Sequence, residues 1–250
     1  MNKKLGVTQS QTVLILGIVF LILFFCMWFP LVEGIKMRKY SAQLSMLYSR
    51  ALQAHRVYSI ISSTRPTEMD TTLPLDKFVE TYYTPYFDVD KVCKGNQDGC
   101  WNKTQYKDLS NKKLNRVLYS LVLSDNLTMG FIKDKEGRIS YLVDLDGTSG
   151  DNKLGHDIFA FYIFNHKTFK PNCDNEVYNK YFIKNGIHLG GYNECGIPHD
   201  VLPITEMLSK DLIDGCHKKS PQSSFGAGVG AACTAVIRYS NWTIDKNYPW

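Results

Sequence analysis

The sequence predicts an α+β fold: a long N-terminal helix, membrane-spanning in its first half, packed on an antiparallel β-sheet in a disulfide-stapled head. Three observations predict it. An uncharged apolar run, Val13 to Val32, passes without a break into an amphipathic stretch. Runs rich in β-branched, leucine and aromatic residues begin at Val117 and are separated by short turn-forming links. Six of the seven cysteines lie beyond the apolar run.

The apolar run is interrupted only by Gly17, Cys26 and Pro30. Its twenty residues, at about 1.5 Å each, match a hydrocarbon core of roughly 30 Å. A cleaved secretory signal has an apolar core of about 7–15 residues followed by small residues. Here Phe24, Phe25, Met27, Trp28 and Phe29 fill that place, so the segment is expected to stay attached as an anchor. Pro30 is expected to kink the helix without ending it. Beyond it, Tyr40, Leu44, Leu47, Ala51, Ala54, Tyr58 and Ile61 recur at alternating gaps of four and three, one face of a helix. Thr64-Arg65-Pro66 stops the helix, since the residue before a proline is pushed out of the α region. Residues 7–32 therefore read as the membrane helix, 33–65 as its amphipathic continuation and 66–250 as the head.

In the head, Leu75 to Tyr83 reads as a helix stopped by Thr84-Pro85, with Tyr82, Tyr83, Tyr86 and Phe87 as core beneath the stem. Val117–Leu123, Thr128–Lys133, Arg138–Asp144 and Ile158–Phe164 read as strands. The links Ser124-Asp125-Asn126 and Asp134 to Gly137 make their strands antiparallel neighbours. Leu202–Ile213 reads as a helix that Thr205 is placed to cap. Ser220–Gly230 reads as a flexible small-residue loop, and Cys233–Tyr239 fits helix and strand equally.

Cys93, Cys100, Cys173, Cys195, Cys216 and Cys233 contain no CxxC pair, which argues against zinc and for three disulfides in an oxidising space. Proximity favours 93 with 100, 173 with 195 and 216 with 233. The net charge of +5 is spread out, without the dense basic stripe that nucleic-acid binding needs. The short charged N-terminus favours that end inside and the head outside. No HExxH, GxSxG or phosphate-cradling loop is present, and the chain is read as not an enzyme.

Between the last two strands lies a loop from Asp144 to Asp157, with oxygen-bearing side chains at alternating positions and three glycines. Asp144, Asp146, Asn152 and Asp157 are candidate calcium ligands, since hard cations take six to eight oxygens from carboxylates, amides and backbone carbonyls. The spacing is not that of an EF-hand. The competing reading is a plain turn in which Asp and Asn cap their own backbone.

Together these pieces resemble the type IV pilin-like family, including the pseudopilins of type II secretion. Lys3-Lys4-Leu5-Gly6-Val7-Thr8 resembles the family's basic leader and cleavage site, and Pro30 falls near its helix-kinking proline. Leu75–Val89 is similar to the segment after the stem in some members. Asp144-x-Asp146-Gly147-x-x-Gly150-x-Asn152-x-x-Gly155-x-Asp157-x-Phe159-x-Phe161 resembles a glycine-rich loop and strand found in many, and Cys233 to Trp242 resembles their common C-terminal end. The resemblance implies residues 1–6 as a leader, cut after Gly6 by a prepilin peptidase, with Val7 as the methylated new N-terminus. It implies a structural subunit held in a bacterial inner membrane, its N-terminus cytoplasmic and its head periplasmic or on a filament. Its partners would then be other pilin or pseudopilin subunits and assembly platform proteins. Gln11 stands where the family usually has a glutamate whose charge pairs with a neighbour's terminal amine. A glutamine hydrogen-bonds but does not neutralise an ammonium in an apolar filament core. The departure points to a minor subunit, near a tip, or to a chain that keeps its leader.

The alternative is a single-pass type II membrane protein with a disulfide-stabilised extracellular binding domain. Asn102-Lys-Thr, Asn126-Leu-Thr and Asn241-Trp-Thr are glycosylation acceptor sequences that such a protein would use.

Overall fold

The computed structural model describes residues 9–94, 99–101, 105–147, 150–168, 186–244 and 248. Contacts divide the chain into two compact units, Met1–Tyr40 and Ser41–Trp250. Helix α1, Gln9–Ser62, enters both and runs for 54 residues. Pro30 lies inside it, as expected. In the first unit the helix is long and apolar enough to cross a membrane.

In the second unit, α1 carries its apolar stripe into a core. Leu44, Leu47, Ala51 and Ala54 are buried. Ile61, expected on the same stripe, is 73 % exposed, because the helix is already ending there. Ser63 takes φ of +56°, and the Ser62 hydroxyl donates back to the Tyr58 carbonyl at 2.7 Å. Ser41, Tyr48 and His55 are buried on this stretch, which no apolar periodicity marks.

Helix α2, Leu75–Tyr82, ends at Thr84-Pro85 as expected. Six strands follow in one antiparallel meander, β1 to β6 in spatial order: Val89–Lys94, Tyr119–Leu123, Thr128–Lys133, Ile139–Asp144, Ile158–Ile163 and Ile187–Leu189. The inner four were legible in the sequence. β1 and β6 were not. Strands β4 and β5 are buried at every position, so both sheet faces are covered.

On one face Phe131, Tyr141 and Phe161 stand in register across β3, β4 and β5. The Tyr141 and Phe161 rings stack at 4.9 Å. Tyr83 meets Phe131 and Tyr141 edge-on at 5.0 and 5.4 Å, and its hydroxyl lies 3.1 Å from His55 Nε2 of α1. The aromatic patch after α2 is thus core between stem and sheet, as expected, although Tyr86 is only half-buried. Edge-to-face pairs of this kind add about 0.5–1.5 kcal/mol beyond their buried area.

The opposite face carries Ile132, Leu142, Ile158 and Ala160 beneath Trp101, Tyr106, Leu114, Val117, Ala227 and Ala231. Gly130 of β3 lets the Trp101 ring lie flat on the strand: a Cβ there would sit 2.7 Å from the indole. The segment Gly226–Gly230 is therefore packed core rather than a flexible loop. Cys233–Tyr239 resolves as helix α4, whose Thr234 hydroxyl accepts the β5 backbone N–H of Ala160 at 2.9 Å. The helix expected over Leu202–Ile213 shrinks to one turn, α3, Ile204–Met207. Pro203, not Thr205, occupies its cap position.

Candidate functional site

Two of the expected disulfides join described residues, Cys93 with Cys100 and Cys216 with Cys233. Cys195 is also disulfide-bonded. Cys173, and with it the expected 173–195 pair, lies outside the described residues, as do Gly6, Val7 and Asn102. Gln11 falls in the first turns of α1.

The apolar part of α1 is exposed along its described length. From Val13 to Val32, each described large apolar side chain is exposed, from Val32 at 44 % to Met27 at 75 %. Fully burying such a side chain is worth about 1.5–3 kcal/mol. Water is therefore a poor medium for this stretch, which is long and apolar enough to cross a membrane. Cys26, within it, is a free thiol.

Beyond residue 40 the same helix is tied into the head by polar contacts. Arg238 of α4 donates from Nη1 to the Tyr48 hydroxyl at 3.1 Å, and its guanidinium lies over the Tyr48 ring at 5.1 Å. Asp200 Oδ2 lies 3.8 Å from that nitrogen. Its carboxylate also bonds His188 Nδ1 at 2.8 Å and accepts the Leu189 N–H at 2.9 Å. Trp242 flanks Tyr48 with ring centroids 5.9 Å apart. Sequence reasoning missed this cluster, because its members are scattered over four elements and form no motif.

The acidic loop brings three of its four predicted residues close together. Asp144 ends β4 fully buried. Its Oδ2 accepts from the Tyr106 hydroxyl at 2.8 Å and its Oδ1 from the Asp146 N–H at 3.1 Å. Asp157 accepts the N–H groups of Asn152 and Lys153 at 2.9 and 2.7 Å. Asp146 and Asp157 converge on Gly150, which has φ of +87°. A Cβ there would lie 2.5 Å from Asp146 Oδ2 and 2.8 Å from Asp157 Oδ2, so glycine is required on both steric and conformational grounds. Asn152 contributes its backbone: its carbonyl accepts from Lys107 N–H at 2.9 Å. Tyr248 closes the far side, its hydroxyl donating to the Gly155 carbonyl at 2.5 Å.

Burial pushes the Asp144 carboxyl up to about 8, and the charges of Asp157 and Asp146 add to the effect against the two hydrogen bonds it accepts. Burial raises Asp157 as well. Chemically, the loop confines carboxylates whose repulsion a proton or a hard cation relieves. Its donors are all oxygens. The hydrogen bonds that close it are also those of a self-capped turn. Among the described residues, no group of three or more His, Cys, Asp or Glu side chains is disposed to hold a metal ion.

No curated protein and no solved structure matches this chain. A family does match, over residues 61–250, from the last turn of α1 to the C-terminus: the chain belongs to a family of unknown function, DUF6613.

Proposed function

We propose that this protein is a structural subunit, of the minor kind, of a type IV pilus or type II secretion pseudopilus. The observation that carries the reading is α1. One helix, Gln9–Ser62, carries the uncharged apolar run Val13 to Val32, and its last part is built into an antiparallel sheet domain. That division suits a chain that waits in the inner membrane, N-terminus in the cytoplasm and head in the periplasm, and then exchanges lipid for the apolar helices of other subunits. Lipid and leucine are equally apolar, so the exchange turns on packing rather than on hydrophobic energy. A prepilin peptidase would first remove residues 1–6, and an assembly platform would lift the helix out. The reading contains no catalytic step. Calcium in the Asp144–Asp157 loop is part of the proposal, as a clamp on the head.

The test is cross-linking in cells. With Cys26→Ser as background, a single cysteine placed at Leu16 or Val19 should cross-link to the apolar helix of another pilin-like chain, and only while the assembly ATPase is active. Cross-links that ignore the ATPase, or none at all, would contradict assembly.

The type II glycoprotein reading draws on one feature: Asn126 and Asn241 are exposed, each in a left-handed turn, where an acceptor asparagine is accessible. A glycan-dependent mass shift lost in Asn126→Gln would favour it.

A further inference from the structure

A cavity of about 320 Å³ opens beside the turn between β3 and β4. Its floor is apolar: Ile132, the partly buried Phe225, and Leu118, which is 50 % exposed although it directly precedes a core strand. Its rim is cationic, with Arg116, Lys133 and Lys135.

Two carboxylates also line the cavity, but both are taken. Asp134 Oδ2 lies 2.7 Å from Arg138 Nε, and Glu136 Oε2 lies 3.1 Å from Arg138 Nη2. Arg138 is itself 1 % exposed and sits over the Tyr192 and Phe225 rings at 4.8 and 5.2 Å. Asp134 accepts from the Tyr192 hydroxyl at 2.9 Å as well. These acids serve the buried guanidinium behind the wall; beyond contact distance, the charge of Asp70 acts on Lys133 and that of Asp214 on Arg116.

Among the described residues, none of Arg116, Lys133 and Lys135 has a carboxylate within 4.0 Å. Arg116 donates to the carbonyls of Ser223, at 2.6 Å, and Gly226. Lys133 donates to the Leu73 carbonyl at 2.7 Å. Carbonyl capping holds both heads in place without cancelling their charge. Burial also lowers the Lys133 ammonium below its ordinary value, against the opposing charge of Asp70. Capping accounts for the fixed geometry; it does not account for three cations gathered over an apolar floor.

We propose that this cavity is a docking site for an acidic side chain with an apolar neighbour, carried on a peptide segment of a partner protein. The carboxylate meets the Lys133–Lys135–Arg116 rim while the apolar neighbour covers Leu118 and Phe225. A bare anion would leave the floor exposed, and a purely apolar segment would leave the cations unpaired. The inference goes beyond the filament reading and does not depend on it.

The probe is acetyl-Glu-Phe-amide, titrated by NMR into the full-length chain in detergent, with acetyl-Gln-Phe-amide, acetate and inorganic phosphate as comparisons. The expected result is saturable binding of the Glu peptide, weakened about tenfold or more by the Gln exchange and by Lys135→Glu. Lys135 is exposed and makes no described contact that folding needs, so that variant remains folded. Leu118→Ser should weaken the peptide and leave acetate unchanged. Equal binding of the Glu and Gln peptides, phosphate or acetate competing as well as the peptide, or indifference to Lys135→Glu would each overturn the proposal.

Discussion

Gly130 shows how much one residue decides. Any side chain there meets the Trp101 ring at 2.7 Å and Val117 at 2.9 Å, both core groups with no room to retreat. Overpacking of this kind costs roughly 1–3 kcal/mol, so Gly130→Ala should lower stability by about 2 kcal/mol in urea unfolding. An unchanged midpoint would mean that Trp101 does not lie on β3. His55 makes a prediction in pH. Burial pushes its imidazole down to about 3 from an ordinary 6.5. A depressed folded value means that the stabilising contribution is complete above the unfolded value and is lost as pH falls toward the folded one. Below pH 6.5 the wild type should therefore lose stability relative to His55→Gln, by about 1.4 kcal/mol per pH unit for the one proton involved. The difference between the two proteins isolates this group from the raised carboxyls, which act in the opposite sense. Parallel stability curves from pH 7 to pH 4.5 would show that His55 is hydrated in the folded chain.

At the scale of elements, the inner strands could be read from the sequence because their alternation is apolar on both faces. β1 could not: Asp90, Lys91 and Lys94 make it polar, and it exists as an edge strand because its backbone pairs with β2. β6 has three residues, too few for a pattern. The stretch from Leu202 to Ile213 has apolar residues for a helix, but the chain leaves α3 so that the Cys216 N–H reaches the Met207 carbonyl at 2.8 Å and Cys216 bonds Cys233. Tertiary links overrode local propensity there. On α1 the apolar stripe was legible, whereas burial of His55 was not, since only the facing Tyr83 makes a place for it. The acidic loop was legible as a loop of candidate ligands. Its support from Tyr106 and Tyr248 was not, because both come from distant segments. Calcium bound there should raise the unfolding temperature of the head, and chelation should lower it by several degrees. Asp144→Ala should abolish the response. A chain indifferent to calcium and chelator at pH 8, where Asp144 is half-ionised or more, would leave the self-capped turn as the whole account of the loop.

For the whole molecule, the two units pose different problems. The second encloses a core: its sheet is covered on both faces and its cysteines Cys93, Cys100, Cys195, Cys216 and Cys233 are bonded. The first leaves its described apolar side chains from Val13 to Val32 exposed along the helix. Sequence and structure agree on that asymmetry, and the filament reading is the proposal that gives it a purpose. Gln11 narrows the proposal further. A glutamine in the assembly position offers no charge to a neighbour's terminal amine, which suits a subunit present in few copies.

The most direct measurement is the intact mass and N-terminal sequence of the chain isolated from its native membranes. Removal of residues 1–6 and a methylated Val7 at the new terminus is the result the account predicts. An intact Met1, in cells whose prepilin peptidase processes other substrates, would contradict it and leave the apolar helix as a permanent anchor.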